Sequence, residues 1–263
     1  MEGETSLKKD STVTTVNLFH SRADNIGDKL CGPAQFFWPS SVRNANFLYQ
    51  LTKPENAILG GGQVFGQISD YSKNLMKNPT GSLVAWGIGL PLKGKNDASV
   101  LDVFSRFSLF STRNFDWRDQ LTFVPCASCM SSCFDKVPPP KYDVVIYAHR
   151  KKTFFLTAEE SIPYTTNKNQ DPKSAINFIA QGETVVTNSY HGVYWAQLLG
   201  RKVICIPYND KFSTFEHKPV MATEMTWKST LRLAKQTDPL LDEYREINRR
   251  FARAVGELLE LNG

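Results

Sequence analysis

No apolar run in this sequence approaches the length that crosses a bilayer, which excludes a membrane-spanning helix as the organising element. The opening residues MEGETSLKKDS are polar and hold no apolar segment of the kind that directs export, so a cytoplasmic protein is expected. Cysteine is scarce. There are five, Cys31, Cys126, Cys129, Cys133 and Cys205, and an odd count without an export signal argues for thiols over a disulfide framework. A dominant charge of one sign is missing too: the net charge is +5, scattered apart from His149-Arg150-Lys151-Lys152 and Arg249-Arg250. That balance suits anionic small molecules at least as readily as nucleic acid, and no nucleic-acid partner is expected. Internal sequence repeats are absent.

What is present is a soluble globular composition, 41% hydrophobic and 22% charged, in 263 residues. That length accommodates two Rossmann-like halves with a sizeable core. The most informative stretch is Thr184 to Pro207. Thr184 to Thr187 is a β-rich run, and Asn188 and Ser189 are good helix N-caps. Tyr190, Val193, Tyr194, Leu198 and Leu199 can share one helical face before Gly200 stops the helix. Lys202 to Ile206 is a second strand, closed by Pro207. Strand, helix and strand so close together predict a βαβ unit with parallel strands and a right-handed crossover. His191 then lies in the first helical turn, beyond a strand's carboxyl end, where ligands bind in open α/β sheets and where an anion is welcome. An ordinary polar first-turn residue is the competing reading.

CASCMSSC supplies Cys126, Cys129 and Cys133 as three possible metal ligands, with His149 or Cys31 as a fourth. Structural zinc wants four ligands, normally in two separated pairs, so a loop of non-ligating thiols is the preferred reading and no metal is expected.

In chain order, Thr12 to Phe19 reads as the first strand, leading into a turn at Asn25, Gly27 and Asp28 ahead of a helix. Ala57 to Leu59 is a short strand ending in Gly60-Gly61-Gly62, Ser69 to Asn78 reads as a helix, and Leu83 to Trp86 is a strand ending in Gly87-Ile88-Gly89. Three strands that each finish in a glycine-bearing loop outline a cleft, although tight turns under packed helices would use the same glycines. Ser99 to Phe107 reads as a helix and Ser108 to Ser111 as a short strand, which makes Arg113 the best-placed fixed cation of this half. Pro138-Pro139-Pro140 forms a stiff connector. Beyond it the α/β rhythm restarts with Tyr142 to Tyr147, a short run Thr153 to Leu156 and a helix from Pro172 to Gln181. Lys211 follows the strand ending at Ile206, on the same sheet edge as His191. Asp238 and Pro239 read as N-cap and first residue of a last amphipathic helix carrying Leu241, Tyr244, Ile247, Phe251, Val255 and Leu258. The expected organisation is residues 11–137 and 141–237 as two α/β units, with a helix over 238–262 that can cross back to the first.

Asn25-x-Gly27-Asp28, Leu59-Gly60-Gly61-Gly62, Trp86-Gly87-Ile88-Gly89 and Asn188-Ser189-Tyr190-His191-Gly192, with Leu198-Leu199-Gly200 and Lys211 after them, come in an order that resembles the polysaccharide pyruvyl transferases. The resemblance spans Val13 to Phe215. It implies an α/β fold with two Rossmann-like domains in a GT-B-like arrangement. It also implies transfer of a pyruvyl group from phosphoenolpyruvate to two hydroxyls of a sugar in an exopolysaccharide or cell-surface glycan. The implied partners are phosphoenolpyruvate and a sugar or lipid-linked oligosaccharide acceptor, with peripheral membrane contact and no separate cofactor. On this reading His191 is the acid/base; Arg113, Asn188, Ser189 and Lys211 hold the donor; and Asn25, Gly27, Asp28, Gly61, Gly62 and Gly87 shape the acceptor side. One departure stands out: the family often has Arg-x-His at this strand end, and here the arginine's place is Ser189. Two rivals follow, a glycosyltransferase using a nucleotide sugar and a non-catalytic glycan-binding relative.

Overall fold

The computed structural model describes residues 14–47, 55–69, 81–95, 97–168 and 171–261. The β-branched and apolar runs fold as strands that are buried along most of their length, as expected when both faces of a sheet are covered. Two wholly parallel sheets result, so the chain is mixed α/β. The first has the order β2-β1-β3-β4-β5-β6. Its members are β1 (Thr14–Phe19), β2 (Arg43–Asn46), β3 (Glu55–Gly62), β4 (Leu83–Ile88), β5 (Leu109–Thr112) and β6 (Thr122–Phe123). The second has the order β11-β10-β9-β7-β8. It contains β7 (Tyr142–Ala148), β8 (Tyr164–Thr166), β9 (Gly182–Thr187), β10 (Lys202–Cys205) and β11 (Val220–Met221).

Strand order reverses once in each sheet. The chain leaves β1 for β2 on one side and returns to β3 on the other, with Val16 opposite Ala57. In the second sheet it leaves β7 for β8 and returns to β9, with Val145 opposite Val185. Such a reversal opens a crevice at the strands' carboxyl ends, because the two connections depart to opposite sides. The residues just past these four strand ends are His20, Gln63, His149 and Asn188.

Helices cover the sheets and join them. Short helices α1 (Ile26–Lys29) and α2 (Ala34–Phe37) follow β1, and α3 (Asp97–Phe104) precedes β5. In the second half come α4 (Pro172–Ala180), α5 (Tyr190–Leu198), α6 (Trp227–Thr230) and the long α7 (Leu241–Leu259). Every residue of α5 is buried. It lies under the second sheet on one side and the cysteine loop on the other, where Tyr194 donates to the Cys126 carbonyl at 2.8 Å and Trp195 Nε1 to Ser128 Oγ at 3.1 Å. Helix α7 bridges the halves. Phe251, Val255 and Leu259 pack with Ile58, Val84 and Trp86, while Tyr244 packs into the core around α5. Each fully buried apolar side chain of this kind contributes about 1.5–3 kcal/mol. Among the described residues no helix is long and apolar enough to cross a membrane.

Several local expectations are corrected. Gly60, Gly61 and Gly62 belong to β3 itself, and Gly87 to β4, so these strands run on through their glycines instead of ending before them. The reason is packing: a Cβ on Gly60 would meet the Pro33 ring at 2.7 Å and one on Gly61 would meet Cys31 Cβ at 3.2 Å. The short run Thr153 to Leu156 folds as a single 3-10 turn over Thr153–Phe155. The short edge strands β8 and β11 carried no periodic signal. The expected helical face on α5 is in fact buried all round. The last helix begins at Leu241 with Leu240 as its cap, two residues later than Asp238 and Pro239 suggest. Tertiary contacts decide this: Pro239 sits against Gly200, where a Cβ would be 2.9 Å from its ring, and the Leu240 N–H donates to the Gln197 carbonyl. The helix expected over Ser69 to Asn78 lies mostly outside the described residues, of which 65–69 are helical.

Candidate active site

The two reversals face one another across a cavity of about 150 Å³, lined by His20, Asn25, Asp28, Gln63, Arg113, His149, Ser189, Tyr190, His191 and Lys211. Both sheets contribute. Asn25 organises the rim: its Oδ1 accepts from the Gly27 N–H and from Asn167 Nδ2, each at 3.1 Å, and its Nδ2 donates to Asp28 Oδ2 at 2.9 Å. The Asp28 carboxylate is thereby fixed at the cavity. Asn167 is fully buried and also receives the Arg150 N–H at 2.9 Å and reaches Ser189 Oγ at 3.4 Å. It ties the first sheet's rim to the second.

Arg113 follows β5 and is only 4% exposed. Its guanidinium lies 3.7 Å over the Tyr190 ring, a cation–π contact, while its Nε and Nη1 find no hydrogen-bond partner among the described residues. Burial alone would lower its pKa, but Tyr190, Cys31, Cys126 and Asp28 raise it, so the group stays charged. A buried cation with unused donors is costly unless an anion joins it. Lys211 stands opposite, donating to Tyr208 OH at 2.7 Å. Burial and then Arg113 lower its pKa to about 8. His149 is pushed down to about 4 by burial, then by Lys211 and Arg150, and so is neutral at pH 7. Its Nδ1 accepts from the Lys151 N–H at 3.2 Å, which leaves the proton on Nε2 as a donor.

His191 is 3% exposed. Its ring lies so close to Gly27 that a Cβ there would be 2.1 Å from Nδ1. Glycine is required for the approach. The other nitrogen, Nε2, is 3.4 Å from Cys31 Sγ and 3.6 Å from Cys126 Sγ, and the two sulfurs are 3.4 Å apart. Among the described residues these three atoms form a group of possible metal ligands. The cysteine run Cys126, Cys129, Cys133 does not converge: Cys126 turns to His191, Cys129 receives Asn248 Nδ2 at 3.4 Å, and Cys133 is partly exposed. Burial pushes Cys126 up, but hydrogen bonds with Cys31 and His191 and the charges of His191 and Arg113 outweigh it and hold the thiol well below its ordinary range. The Cys126 contact and burial raise Cys31, and burial lifts Cys129 to about 12.

Of the residues singled out from sequence, Asn25, Asp28, Arg113, Ser189, His191 and Lys211 meet at the cavity. Gly27 sits directly behind it, under the imidazole. Asn188 does not face it: its Oδ1 accepts from the His149 N–H at 2.6 Å and its Nδ2 donates to the Lys152 carbonyl at 2.7 Å, so it shapes the loop carrying His149. Gly61, Gly62 and Gly87 are not among the lining residues; Gly87 adopts φ +57 beside the Val124 carbonyl, where a Cβ would be 3.1 Å away. Sequence reasoning missed His20, Gln63, Tyr190 and a cavity role for His149. The available signal was strand order, since His20, Gln63 and His149 follow the strands at the two reversals.

A family model described as polysaccharide pyruvyl transferase matches residues 28–210, a span holding Arg113, His149, Ser189 and His191. No curated protein matches the chain. Among solved structures of similar fold are two with low sequence identity. One is an uncharacterized protein from Klebsiella pneumoniae subsp. pneumoniae NTUH-K2044, 16% identical, with a TM-score of 0.50 over 81% of this chain and 93% of that one. The other is the glycotransferase of kitacinnamycin, 11% identical, with a TM-score of 0.52 over 94% of this chain and 98% of that one.

Proposed function

The chain belongs to the polysaccharide pyruvyl transferase family, and on that premise we propose that it transfers a pyruvyl group from phosphoenolpyruvate to two hydroxyls of a glycan sugar, leaving a pyruvate ketal and inorganic phosphate. The observation that carries the reading is the buried, charged Arg113 with two nitrogens unpartnered among the described residues, set against Lys211 in a small cavity. A compact donor with a phosphate and a carboxylate suits such a pair. The cation that the family often carries two residues before the histidine is a serine here, and Arg113, stacked on the adjacent Tyr190, supplies a charge from the other sheet. In a GT-B-like arrangement the donor would lie toward the second sheet and the acceptor toward Asn25 and Asp28.

In the reaction the donor's methylene carbon takes a proton, and its neighbouring carbon becomes an oxocarbenium centre. A sugar hydroxyl adds there and gives up its proton. The second hydroxyl then takes the place of phosphate, which leaves as the inorganic ion, and the ketal closes. Arg113 and Lys211 balance the anionic charge throughout, and the neutral His149 donates from Nε2. His191 is the proposed acid/base, with the Cys31 and Cys126 sulfurs fixing its ring. Asp28 is the proposed partner of the acceptor hydroxyls.

A thermal-shift screen of the full chain against phosphoenolpyruvate, phosphate and nucleotide sugars tests the donor. Stabilisation by phosphoenolpyruvate, and none by nucleotide sugars, is expected. The fold shared with a glycotransferase makes nucleotide-sugar binding the rival outcome. A folded His191→Gln that keeps full transfer activity removes the acid/base assignment.

A further inference from the structure

The Cys31, Cys126 and His191 cluster is more than a support for the imidazole. The three residues come from separate places in the chain: Cys31 after α1, Cys126 from the loop after β6 and His191 from the first turn of α5. Their donor atoms nevertheless form a triangle with sides of 3.4, 3.4 and 3.6 Å. Zinc binds thiolate at about 2.3 Å and imidazole at about 2.0–2.1 Å, so tetrahedral neighbours stand roughly 3.8 Å apart for two sulfurs and roughly 3.5–3.6 Å for sulfur and nitrogen. The two sulfur–nitrogen sides are close to that spacing already, and the sulfurs have to part by a few tenths of an ångström. All three residues are buried. The ring is held in place by Gly27 behind it, and Cys31 Sγ is held by the Gly27 carbonyl at 3.2 Å. The set fits a borderline-soft cation better than magnesium or calcium, which take oxygen ligands.

We propose that Cys31, Cys126 and His191 bind one thiophilic divalent cation, zinc being the natural candidate, with the fourth tetrahedral position left to a non-protein donor. Binding needs both sulfurs as thiolates and His191 Nε2 without a proton, so whatever protons the three atoms hold are released to solvent, and the two thiolates cancel the ion's charge. His191 Nε2 cannot hold an ion and a proton together. The loaded chain therefore cannot exchange a proton at Nε2, which on the pyruvyl-transfer reading takes that nitrogen out of the acid/base role. That last consequence rests on the pyruvyl-transfer reading; the binding site does not.

The test loads metal-free full-length chain with zinc or cobalt, desalts it and measures metal by elemental analysis and absorption. One ion per chain and a cobalt spectrum with thiolate charge-transfer bands of tetrahedral geometry are expected. Cys31→Ser and Cys126→Ser weaken binding by more than about 100-fold, the upper end of what outer-shell losses cost. Cys133→Ser retains the ion. The cobalt spectrum of the unaltered chain needs no variant, so it decides the matter even where Cys126→Ser fails to fold. Less than a tenth of an ion per chain (roughly, on a site this complete), a spectrum without thiolate bands, or loss in Cys133→Ser alone overturns the site. Zinc bound at one ion per chain with transfer undiminished keeps the site and removes His191 Nε2 from proton transfer instead.

Discussion

Arg113 and Lys211 define the cavity's chemistry because they carry charge into a place where charge is expensive. Arg113 offers two unpaired donors over Tyr190, and Lys211 is held at about 8 by burial and by Arg113. The lysine's lowered value sets a pH signature. It is charged below about 8 and loses its proton above, so affinity for a dianion falls as pH rises through that value. A phosphate's own second ionisation, near about 6, lies outside the window. Calorimetric titration with phosphoenolpyruvate across the alkaline range is expected to show that loss, and Lys211→Met to flatten it. Affinity that climbs with pH there would contradict the placement of Lys211. His149, lowered to about 4, contributes no second inflection at neutral pH. Arg113, Ser189, His191 and Lys211 were legible in the sequence because each follows a run that reads as a strand. His20 and Gln63 follow strands as well, yet they were overlooked because nothing local says which strands are neighbours.

At the level of elements, Gly27 in the four-residue helix α1 decides how near His191 comes. A Cβ there would lie 2.1 Å from Nδ1 and 2.3 Å from Cγ, so Gly27→Ala must displace the imidazole or the helix. A loss of about 1–3 kcal/mol, the usual cost of overpacking, is expected in denaturant unfolding. Gly66→Ala is the control, since Gly66 is exposed in a helical run and a Cβ there meets nothing within 4 Å. It is expected to stabilise by about 0.4–1 kcal/mol. Equal stability of the two variants would refute the close approach. The N-x-G-D turn was visible in sequence, but its purpose was not, because the partner ring lies 164 positions away in the chain (Gly27 to His191, 191 − 27 = 164). The reverse happened with Gly60, Gly61 and Gly87, where conspicuous glycines serve backbone packing. Helix α5 shows a third case. A helix covered on all sides leaves no amphipathic stripe to read, so the expected single face was too narrow a description.

Over the whole molecule, the site exists because two sheets present their reversals to one cavity and are held in that relation. Asn25 meets Asn167 across the gap, the Phe115 N–H donates to the Thr214 carbonyl at 2.9 Å, and Asp24 pairs with Arg150. Helix α7, which packs against both halves, is anchored to the first through fully buried Asn248. It accepts from Trp86 Nε1 at 2.9 Å and donates to the Pro125 carbonyl at 3.2 Å, at the root of the cysteine loop. Asn248→Ala leaves the indole N–H and that carbonyl unpartnered, and a loss of about 1–3 kcal/mol is expected in thermal or urea unfolding. A change within ±0.5 kcal/mol, typical of an indifferent surface site, would show that Asn248 does not anchor the helix to the first half. The sequence announced α7 by its apolar repeat. It could not announce the Asn248 contacts, which depend on Trp86 lying opposite.

The central claim is that this cavity binds phosphoenolpyruvate through a buried arginine supplied by the first sheet. Calorimetry of phosphoenolpyruvate against the full chain and against Arg113→Met tests it most directly. The guanidinium makes charge-assisted contacts worth about 1.5–3 kcal/mol each, so a loss of at least about tenfold, and on the order of a hundredfold for two contacts, is expected with the fold intact. Equal affinity in the two proteins, or no binding of phosphoenolpyruvate to either, would contradict the account.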